Sequence, residues 1–425
     1  MDYKWYKDRS FLAIILVETY TAYAAGINAV SSPYLADDYA LSQAQVAAMF
    51  GWFSLGLLGT MYFSRVGDIV GRKKLILISV AMLWLLSLLS IYVTNYLAYV
   101  SLQIVVAFSA GTIFATCPVF ITEHVPEEYR ARAQSIAAFM SFGGGGWVII
   151  LMPLFAATDL GWRMHWVYLA ASLPVAITYA FFVLVETEHF LKQEETDERA
   201  EWKALLKARY TIPLLCSAFL NVLATSAGGA YFYYYLITVR GLSQSFVSTI
   251  SIAAGCIGMI GFVIAARAAD RLGRVPCVII ATIVLSCAML GFYANWGQGR
   301  ILIVIMFFTY STLLTAITAR DVILRVLSTE LYPTHLRSTY AGVSALVVAV
   351  AIVCSHVCAT FLIQLTGRIE YAVMMMTLLT IPALLLFLLI PETMDKDINA
   401  PDWENQGERL IDRIRGRVSQ GRAEH

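Results

Sequence analysis

Long apolar stretches separated by short charged segments make up most of the chain. About twelve of them approach or exceed 20 residues, the length at which an α-helix crosses a bilayer core of about 30 Å. Charged residues, proline or glycine bound each stretch. The predicted spans are 11–34, 45–66, 75–94, 97–121, 133–157, 164–185, 212–238, 246–268, 276–296, 301–327, 339–365 and 371–390. The pattern predicts an all-α polytopic membrane protein with both termini on one side.

Composition agrees with a membrane protein and adds an orientation. Of the 425 residues, 59% are hydrophobic and 14% are charged, whereas about a quarter of the residues in a soluble domain are charged. The net charge of +1 is too balanced for nucleic-acid binding. It hides a strong sidedness, because 24 of the 30 Lys and Arg residues lie on the side of the N-terminus and four lie on the other side. We therefore predict cytoplasmic termini and a plasma-membrane location, such as a bacterial inner membrane.

Three short motifs recur in the same order in both halves of the chain, at offsets of 202 to 207 residues. They are D-x-x-G-R at Asp68 and Asp270, E-x-x-P-x-x-x-R at Glu123 and Glu330, and Glu-Thr at 186–187 and 392–393. Ordered repeats at nearly constant spacing indicate two homologous halves. We predict a six-helix bundle over 1–185, a cytoplasmic linker over 186–211, a second bundle over 212–392 and a cytoplasmic tail over 393–425.

The first motif, between spans 2 and 3, resembles the signature of the major facilitator superfamily. The E-x-x-P-x-x-x-R motif and Pro391-Glu392-Thr393 are similar to the sugar-porter and metabolite-symporter branches of that superfamily. The resemblance covers nearly the whole chain. It implies twelve helices in two pseudo-symmetric six-helix bundles that rock about a central site and give alternating access.

The repeated charges are candidates for a cytoplasmic gate. Carboxylates and guanidinium groups at the membrane surface form strong charge-assisted hydrogen bonds that can tie helix ends together. The alternative is that these residues only set the topology. The predicted gate residues are Asp68, Arg72, Glu123, Arg130, Asp270, Arg274, Glu330 and Arg337.

Ionisable residues within the spans are candidates for substrate or proton binding, because charges in the hydrocarbon region are costly. Glu18 lies about 10 Å into span 1, on a face with Ala22, Ala25 and Ala29. The resemblance places spans 1, 4, 7 and 10 along the central path. A protonatable acid there suits coupling; the alternative is a structural partner for a nearby cation.

Span 10 contains three further charges. Asp321 and Arg325 are four residues apart with the acid first, the favoured order for a salt bridge on one helix face. We expect them to pair and to leave Arg320, about 100° around the helix, as an uncompensated cation. Arg320 would then bind an anionic substrate or pair with Glu18. The alternative is that all three belong to the cytoplasmic network.

Spans 7 and 11 supply the remaining candidates. Span 7 contains Asn221, the pair Gly228-Gly229 and an aromatic run that includes Tyr231 and Tyr234. One interpretation is a bending half-helix whose tyrosines close over substrate, as the resemblance implies; the other is an interfacial aromatic belt. His356 in span 11 can titrate near neutral pH, although a packed structural histidine is the commoner case.

We predict a secondary transporter of a small polar metabolite, with an organic anion or zwitterion favoured and proton symport as the coupling. The sugar-porter QQxxGxN signature is absent from span 7. The alternatives are a drug or metabolite efflux antiporter, although span 5 lacks GPxxGG, and a non-transporting membrane sensor. The sequence shows no nucleophile and base pair, metal cluster or phosphate loop, so we expect no enzyme activity, cofactor or metal. Expected partners are the substrate, protons and the lipid bilayer, with no nucleic acid, and we expect a monomer.

Overall fold

The computed structural model describes residues 5–60, 66–67, 69–126, 129–186, 203–205, 207–294, 299–332 and 334–393. Helices dominate these ranges. The longer helices, numbered by span, are α1 Arg9–Asp38, α2 Gln43–Leu58, α3 Arg72–Tyr92, α4 Tyr96–His124, α5 Arg130–Ala156, α6 Met164–Val183, α7 Thr211–Ala230, α8 in two segments (Gln244–Gly258 and Ile260–Leu272), α9 Arg274–Tyr293, α10 Arg300–Leu331, α11 Thr334–Thr366 and α12 in two segments (Ile369–Thr377 and Thr380–Phe387).

The observed helices confirm the prediction of twelve membrane spans. Eleven of the described helices are long and apolar enough to cross a membrane. The other predicted span, 45–66, corresponds to α2, which has 16 residues; Met61 to Arg65 lie outside the described residues. Large apolar side chains stay exposed on the outer faces of the helices, for example Phe182 at 78%, as expected where lipid replaces water.

Helix α7 ends in an irregular segment. After Ala230 the chain forms a turn at Tyr231, a short helix Phe232–Tyr234 and a π-helix Tyr235–Val239. The predicted weakening of the helix near Gly228-Gly229 therefore coincides with an observed change of helix geometry.

Contacts divide the chain into two units. The first comprises the described residues of Met1–Glu195 together with Ala230–Ile252, and the second those of Thr196–Gly229 together with Ala253–His425. The aromatic segment after α7 thus packs with the first unit, where the ring of Tyr231 lies 5.8 Å from that of Phe50. These units differ at the end of α7 from the two bundles predicted from the internal repeat, 1–185 and 212–392. The predicted bundle boundaries stay a prediction.

Glycines set the helix crossings in both units. A Cβ atom at Gly56 of α2 would overlap the backbone of α4 beside Ala107, and one at Gly258 of α8 would lie 2.7 Å from the Cβ of Leu314 in α10. Gly56 and Gly258 are 202 residues apart, and Ala107 and Leu314 are 207 apart. These are the offsets of the charged motifs, so the repeat extends to the packing of the helices.

Candidate transport site and its charge clusters

Three elements of the first unit meet in a charge cluster at the predicted cytoplasmic side. The Arg72 guanidinium at the start of α3 lies 3.1 Å from the Glu123 carboxylate near the end of α4. The Glu186 carboxylate, just beyond α6, accepts a 3.1 Å hydrogen bond from the backbone N–H of Lys73. Gly71 has φ 104° and approaches Glu186 so closely that a Cβ atom would overlap the carboxylate. Asp68 lies outside the described residues.

The second unit builds the same cluster from the matching positions. The Arg274 guanidinium lies 3.0 Å from Glu330 and 3.4 Å from Asp270. Thr393 donates a 2.5 Å hydrogen bond to Glu330. The Glu392 carboxylate accepts hydrogen bonds from the backbone N–H groups of Arg274, at 2.8 Å, and of Val275, at 3.1 Å.

Glu186 and Glu392 are functional candidates that the sequence interpretation did not name as gate residues. Each carboxylate occupies the N-terminus of a helix, α3 or α9, where free N–H groups and the helix dipole favour an anion. The sequence signal was present, because both residues begin a repeated Glu-Thr pair.

Arg130 and Arg337 occupy equivalent positions but bind backbone oxygens. The Nε atom of Arg130 donates to the Val125 carbonyl at 3.2 Å, and that of Arg337 donates to the Tyr332 carbonyl at 3.0 Å. Neither has a carboxylate within 4.0 Å among the residues described by the structure. Both arginines close the turn at a helix end, and their place in the gate stays a prediction.

Glu18 is almost fully buried in α1, with 4% of its surface exposed. It lies near enough to Cys117 of α4 to interact with it electrostatically. Its neighbour Thr19 contacts α5, where a Cβ atom at Gly144 would overlap the Thr19 carbonyl oxygen. A buried acid of α1 thus lies near α4 in the first unit.

The charges of α10 pair differently from the prediction. Asp321 lies 3.1 Å from the Nη2 atom of Arg320, and among the described residues it forms no ion pair with Arg325. The predicted i,i+4 bridge is therefore wrong. The reason is burial. The Arg320 side chain is 8% exposed and needs a nearby carboxylate, whereas Arg325 is exposed.

Arg320 is only half compensated by this pair. Its Nε and Nη2 atoms both bind Oδ1 of Asp321, at 3.3 and 3.1 Å. Its Nη1 atom is buried and has no hydrogen-bond partner in the described part of the chain. Asn221 of α7, in the same unit, donates to the Ser217 carbonyl, and its buried Oδ1 atom also lacks a partner among the described residues.

The other predicted site residues are also buried. His356 is 3% exposed, Tyr231 0% and Tyr234 3%. Burial of both tyrosines differs from the exposed arrangement of an interfacial belt. The contact division puts Glu18 and the two tyrosines in the first unit, and Asn221, Arg320 and His356 in the second.

A polar network within the first unit was missed at the sequence level. Asn28 donates to Gln103 at 2.9 Å and accepts from Tyr99 at 2.7 Å, and Gln103 donates to Ser90 at 3.1 Å. These groups link α1, α3 and α4 through buried and partly buried hydrogen bonds. Isolated amides in apolar spans were the signal that could have revealed them.

His165, near the start of α6, is contacted at both ring nitrogens. Its Nδ1 atom lies 2.6 Å from the Tyr23 hydroxyl, and its Nε2 atom lies 3.0 Å from the Met152 sulfur. No group of three or more His, Cys, Asp or Glu residues within the described ranges could hold a metal ion.

Comparison with known proteins identifies the family and several relatives of this chain. The family model described as Major Facilitator Superfamily matches residues 13–355. A gentisate transporter of Corynebacterium glutamicum is 23% identical over 72% of this chain and 70% of that protein. A gallate transporter of Pseudomonas putida is 25% identical over 45% of this chain and 43% of that protein.

The solved structure of a D-xylose-proton symporter superposes with a TM-score of 0.73 over 91% of this chain and 97% of that chain, at 16% identity. This likeness shows the fold, and the family match covers most of the chain. The chain is a multi-pass membrane transporter and belongs to the Major Facilitator Superfamily.

Proposed function

We propose that this protein takes up a small organic anion together with protons across a plasma membrane, and that aromatic carboxylates are the first substrates to test. The observation that carries the proposal is the half-compensated Arg320 of α10. A buried guanidinium with an unpartnered Nη1 atom is costly unless an acceptor completes it.

A carboxylate suits this arginine for geometric as well as electrostatic reasons. The planar fork of a guanidinium matches the two oxygens of a carboxylate and forms short, charge-assisted bonds. Asp321 uses one side of the Arg320 guanidinium, and the other side is left for a second acceptor. The Oδ1 atom of Asn221 lacks a donor within the described residues, so a substrate hydroxyl would complement it.

Glu18 supports proton coupling. It is the buried acid of α1, and protonation would remove its charge when the surrounding helices move through apolar contacts. In this scheme the proton neutralises the acid of the first half, and the anion accepts a hydrogen bond from the Nη1 atom of Arg320 that Asp321 leaves without a partner.

Two of the relatives suggest aromatic acids as the first substrates to test, and because hexose and D-xylose transporters also match this chain by sequence, a sugar is the necessary competitor. Gentisate and gallate are both hydroxylated benzoates, and the corresponding proteins match this chain by sequence. The structural likeness to a xylose symporter, at 16% identity, bears on the fold alone. The proposed orientation has both termini in the cytoplasm, and the working unit is a monomer.

Uptake into proteoliposomes tests the proposal. Labelled gentisate is offered with an inward proton gradient, with the gradient collapsed by a protonophore, and with excess gallate, nicotinate or xylose as competitor. We expect gradient-driven accumulation that gallate inhibits and xylose does not. Accumulation that ignores the gradient would exclude proton symport, and the absence of saturable gentisate uptake would exclude this anion as a substrate.

The same assay separates the alternatives. An efflux antiporter would accumulate substrate only when the vesicle interior is the more acidic side. A non-transporting sensor would bind the ligand without any accumulation.

A further inference from the structure

The start of α1 and the end of α4 meet in an ionisable contact. Asp8 immediately precedes α1 and caps it, because its carboxylate accepts hydrogen bonds from the N–H groups of Ser10 and Phe11. His124 is the last residue of α4, and its Nε2 atom lies 3.1 Å from Oδ1 of Asp8. The side chains of His124 and Asp8 are 22% and 26% exposed. Protons from the aqueous phase can therefore reach the imidazole.

The equivalent junction of the second unit is apolar. Tyr210 immediately precedes α7, and Leu331 is the last residue of α10. They follow Asp8 and His124 by 202 and 207 residues, which are the offsets of the internal repeat. Both are buried in one hydrophobic cluster. The first unit therefore has a histidine, whose charge changes between pH 5 and 8, where the second unit has buried hydrophobic packing.

We propose that His124 is a proton-binding site that makes the junction of α1 and α4 sensitive to the pH on the predicted cytoplasmic side. When the imidazole is protonated, two opposite charges face each other and the hydrogen bond joins two ionised groups. When the imidazole is neutral, the hydrogen bond to Asp8 remains but the attraction between two charges is lost. A fall in pH on this side therefore holds the start of α1 more firmly to the end of α4.

Asp8 provides the fixed charge of this pair. Burial raises the pKa of its carboxyl, but the bond from the Phe11 N–H, the contact with His124 and the bond from the Ser10 N–H outweigh it, so the pKa lies below its usual 3.8. The carboxylate stays ionised over the whole range in which a histidine changes charge. The added attraction is therefore complete below the ordinary histidine pKa of about 6.5 and is lost as the pH rises above it.

Asp8 is the one acid within 4.0 Å of a His124 ring nitrogen among the residues that the structure describes. The ring of Phe120, one turn earlier on α4, stacks on the imidazole at 5.3 Å. Glu127 and Glu128, in the loop after α4, lie outside the described residues. The other charged groups on the surrounding elements are Lys7 and Arg9, which are exposed, and Arg72, Glu123, Arg130 and Glu186, which have the partners given above.

The junction holds the helix that carries the buried acid of the first unit. Glu18 lies on α1, and Cys117 of α4 is near it. The Ser10 hydroxyl also donates to the Val183 carbonyl at 3.0 Å, which joins the start of α1 to the end of α6. A change of charge on His124 therefore alters how firmly α1 is held at its first turn, whatever the substrate is.

Amide hydrogen exchange of the full-length protein in lipid nanodiscs, at pH 6 and at pH 8, tests the inference without any substrate. Measured rates are divided by the intrinsic exchange rates at each pH. We expect the first turn of α1, residues 9–12, to be about threefold better protected at pH 6 than at pH 8. His124→Gln, which is neutral and keeps an N–H donor, should remove this difference. No difference in the unsubstituted protein, or the same difference in His124→Gln, would overturn the proposal.

Further comparisons separate a proton site from a structural role. A histidine with a structural role alone would change the protection of α1 equally at both pH values when it is replaced. Asp8→Asn keeps a capping oxygen and should also remove the pH dependence, so it decides the question if His124→Gln does not fold. Glu18→Gln should retain the pH dependence; its loss there would place the proton on Glu18 and contradict the proposal. Residues 211–215 at the start of α7, beside the apolar junction, are the internal control and should show no pH dependence.

Discussion

The two halves of this transporter agree closely at one side of the membrane and differ within the spans. At the predicted cytoplasmic side, Arg72 with Glu123 and Arg274 with Glu330 form ion pairs of 3.1 and 3.0 Å. In each half a further glutamate caps the helix that begins with the arginine. Among the described residues the repeat has therefore kept the ion pair and the backbone hydrogen bond that Lys73 and Val275 donate to the capping glutamates.

Within the spans the two halves show no such agreement. The first half buries an acid, Glu18, and the second half buries a base, Arg320, with Asp321 beside it. Position 18 does not map onto position 320 at any of the motif offsets. Features shared by both halves suit a motion that both halves perform, whereas features found in one half suit the chemistry of a particular substrate. We therefore assign gating to the shared residues and selectivity to the unshared ones.

The largest expected effect comes from removing the acid of the first half. Glu18→Gln cannot take up a proton, so gradient-driven accumulation should fall at least tenfold while exchange of internal for external substrate continues. Uptake and counterflow of labelled gentisate in proteoliposomes measure the two activities. Glu370→Gln, a substitution of a second buried acid in α12, is the control and should keep gradient-driven uptake. Loss of both activities in Glu18→Gln alone would instead indicate a structural role.

Arg320, the buried base of the second half, should control the affinity for the substrate. Arg320→Gln removes a charge-assisted bond worth about 1.5 to 3 kcal/mol, which corresponds to a rise in KM of roughly 10- to 100-fold. Arg325→Gln, one turn later on the same helix and exposed, should change KM less than twofold. Initial uptake rates over a range of concentrations provide the measurement. Equal effects of the two substitutions would show that Arg320 acts only through the net charge of α10.

The shared clusters should respond alike in the two halves. Arg72→Ala and Arg274→Ala each remove an ion pair, which should shift the balance of states towards the open cytoplasmic side by about 1 to 3 kcal/mol. Labelling of a single cysteine on the cytoplasmic pathway reports this shift, and Lys74→Gln, at an exposed neighbouring position, provides the baseline. A shift in only one half would break the equivalence of the two clusters.

Replacing the glycines at the helix crossings, Gly56 and Gly258, should lower the free energy of unfolding equally in both halves. Gly56→Ala and Gly258→Ala overfill close helix contacts and should each lower the free energy of unfolding by about 1 to 3 kcal/mol. Gly145→Ala and Gly255→Ala, where no atom lies within 4 Å of the added carbon, should have little effect. Thermal unfolding in detergent compares the four variants. If Gly258→Ala leaves the unfolding temperature unchanged while Gly56→Ala lowers it, the two helix crossings are not equivalent.

The smallest effect is expected from substituting Asp8, which has no acidic counterpart in the second half. Asp8 caps α1 through the N–H groups of Ser10 and Phe11, and its Oδ1 atom lies 3.1 Å from Nε2 of His124. Burial raises the pKa of the Asp8 carboxyl, but these bonds outweigh it, so the pKa lies below its usual 3.8. The stabilisation is therefore complete above the unfolded-state pKa and is lost as the pH falls through the lowered folded-state pKa.

Asp8→Ala should cost about 1 kcal/mol of unfolding free energy near neutral pH, the usual value of a helix cap. The difference from the unsubstituted protein should shrink as the pH falls below about 4. Thermal unfolding between pH 3 and 7 measures it, with Asp8→Asn as a variant that keeps a capping oxygen. A difference that is independent of pH would show that the charge of Asp8 contributes nothing.

The hydrophobic pattern predicted the fold almost completely, because the bilayer forces span length and helix type on the sequence. The repeat predicted the clusters in part. Arg72 pairs with Glu123 and Arg274 with Glu330, whereas Arg130 and Arg337 bind backbone carbonyls.

Side-chain pairing within α10 was predicted incorrectly. Spacing alone favoured Asp321 with Arg325, whereas burial of Arg320 decided the outcome, and burial depends on helix rotation that no single sequence shows. The contact between Asp8 and His124 lay beyond prediction because it joins two helix ends that are distant in the sequence.

The central claim is that one proton and one organic anion are taken up together, through residues that the two halves do not share. The most direct test records the pH inside proteoliposomes with a trapped fluorescent dye when gentisate is added outside, without any imposed gradient. The account predicts that gentisate acidifies the interior, and that neither Glu18→Gln nor Arg320→Gln does so at the same gentisate concentration. Entry of labelled gentisate into the vesicles with no change of internal pH would contradict it.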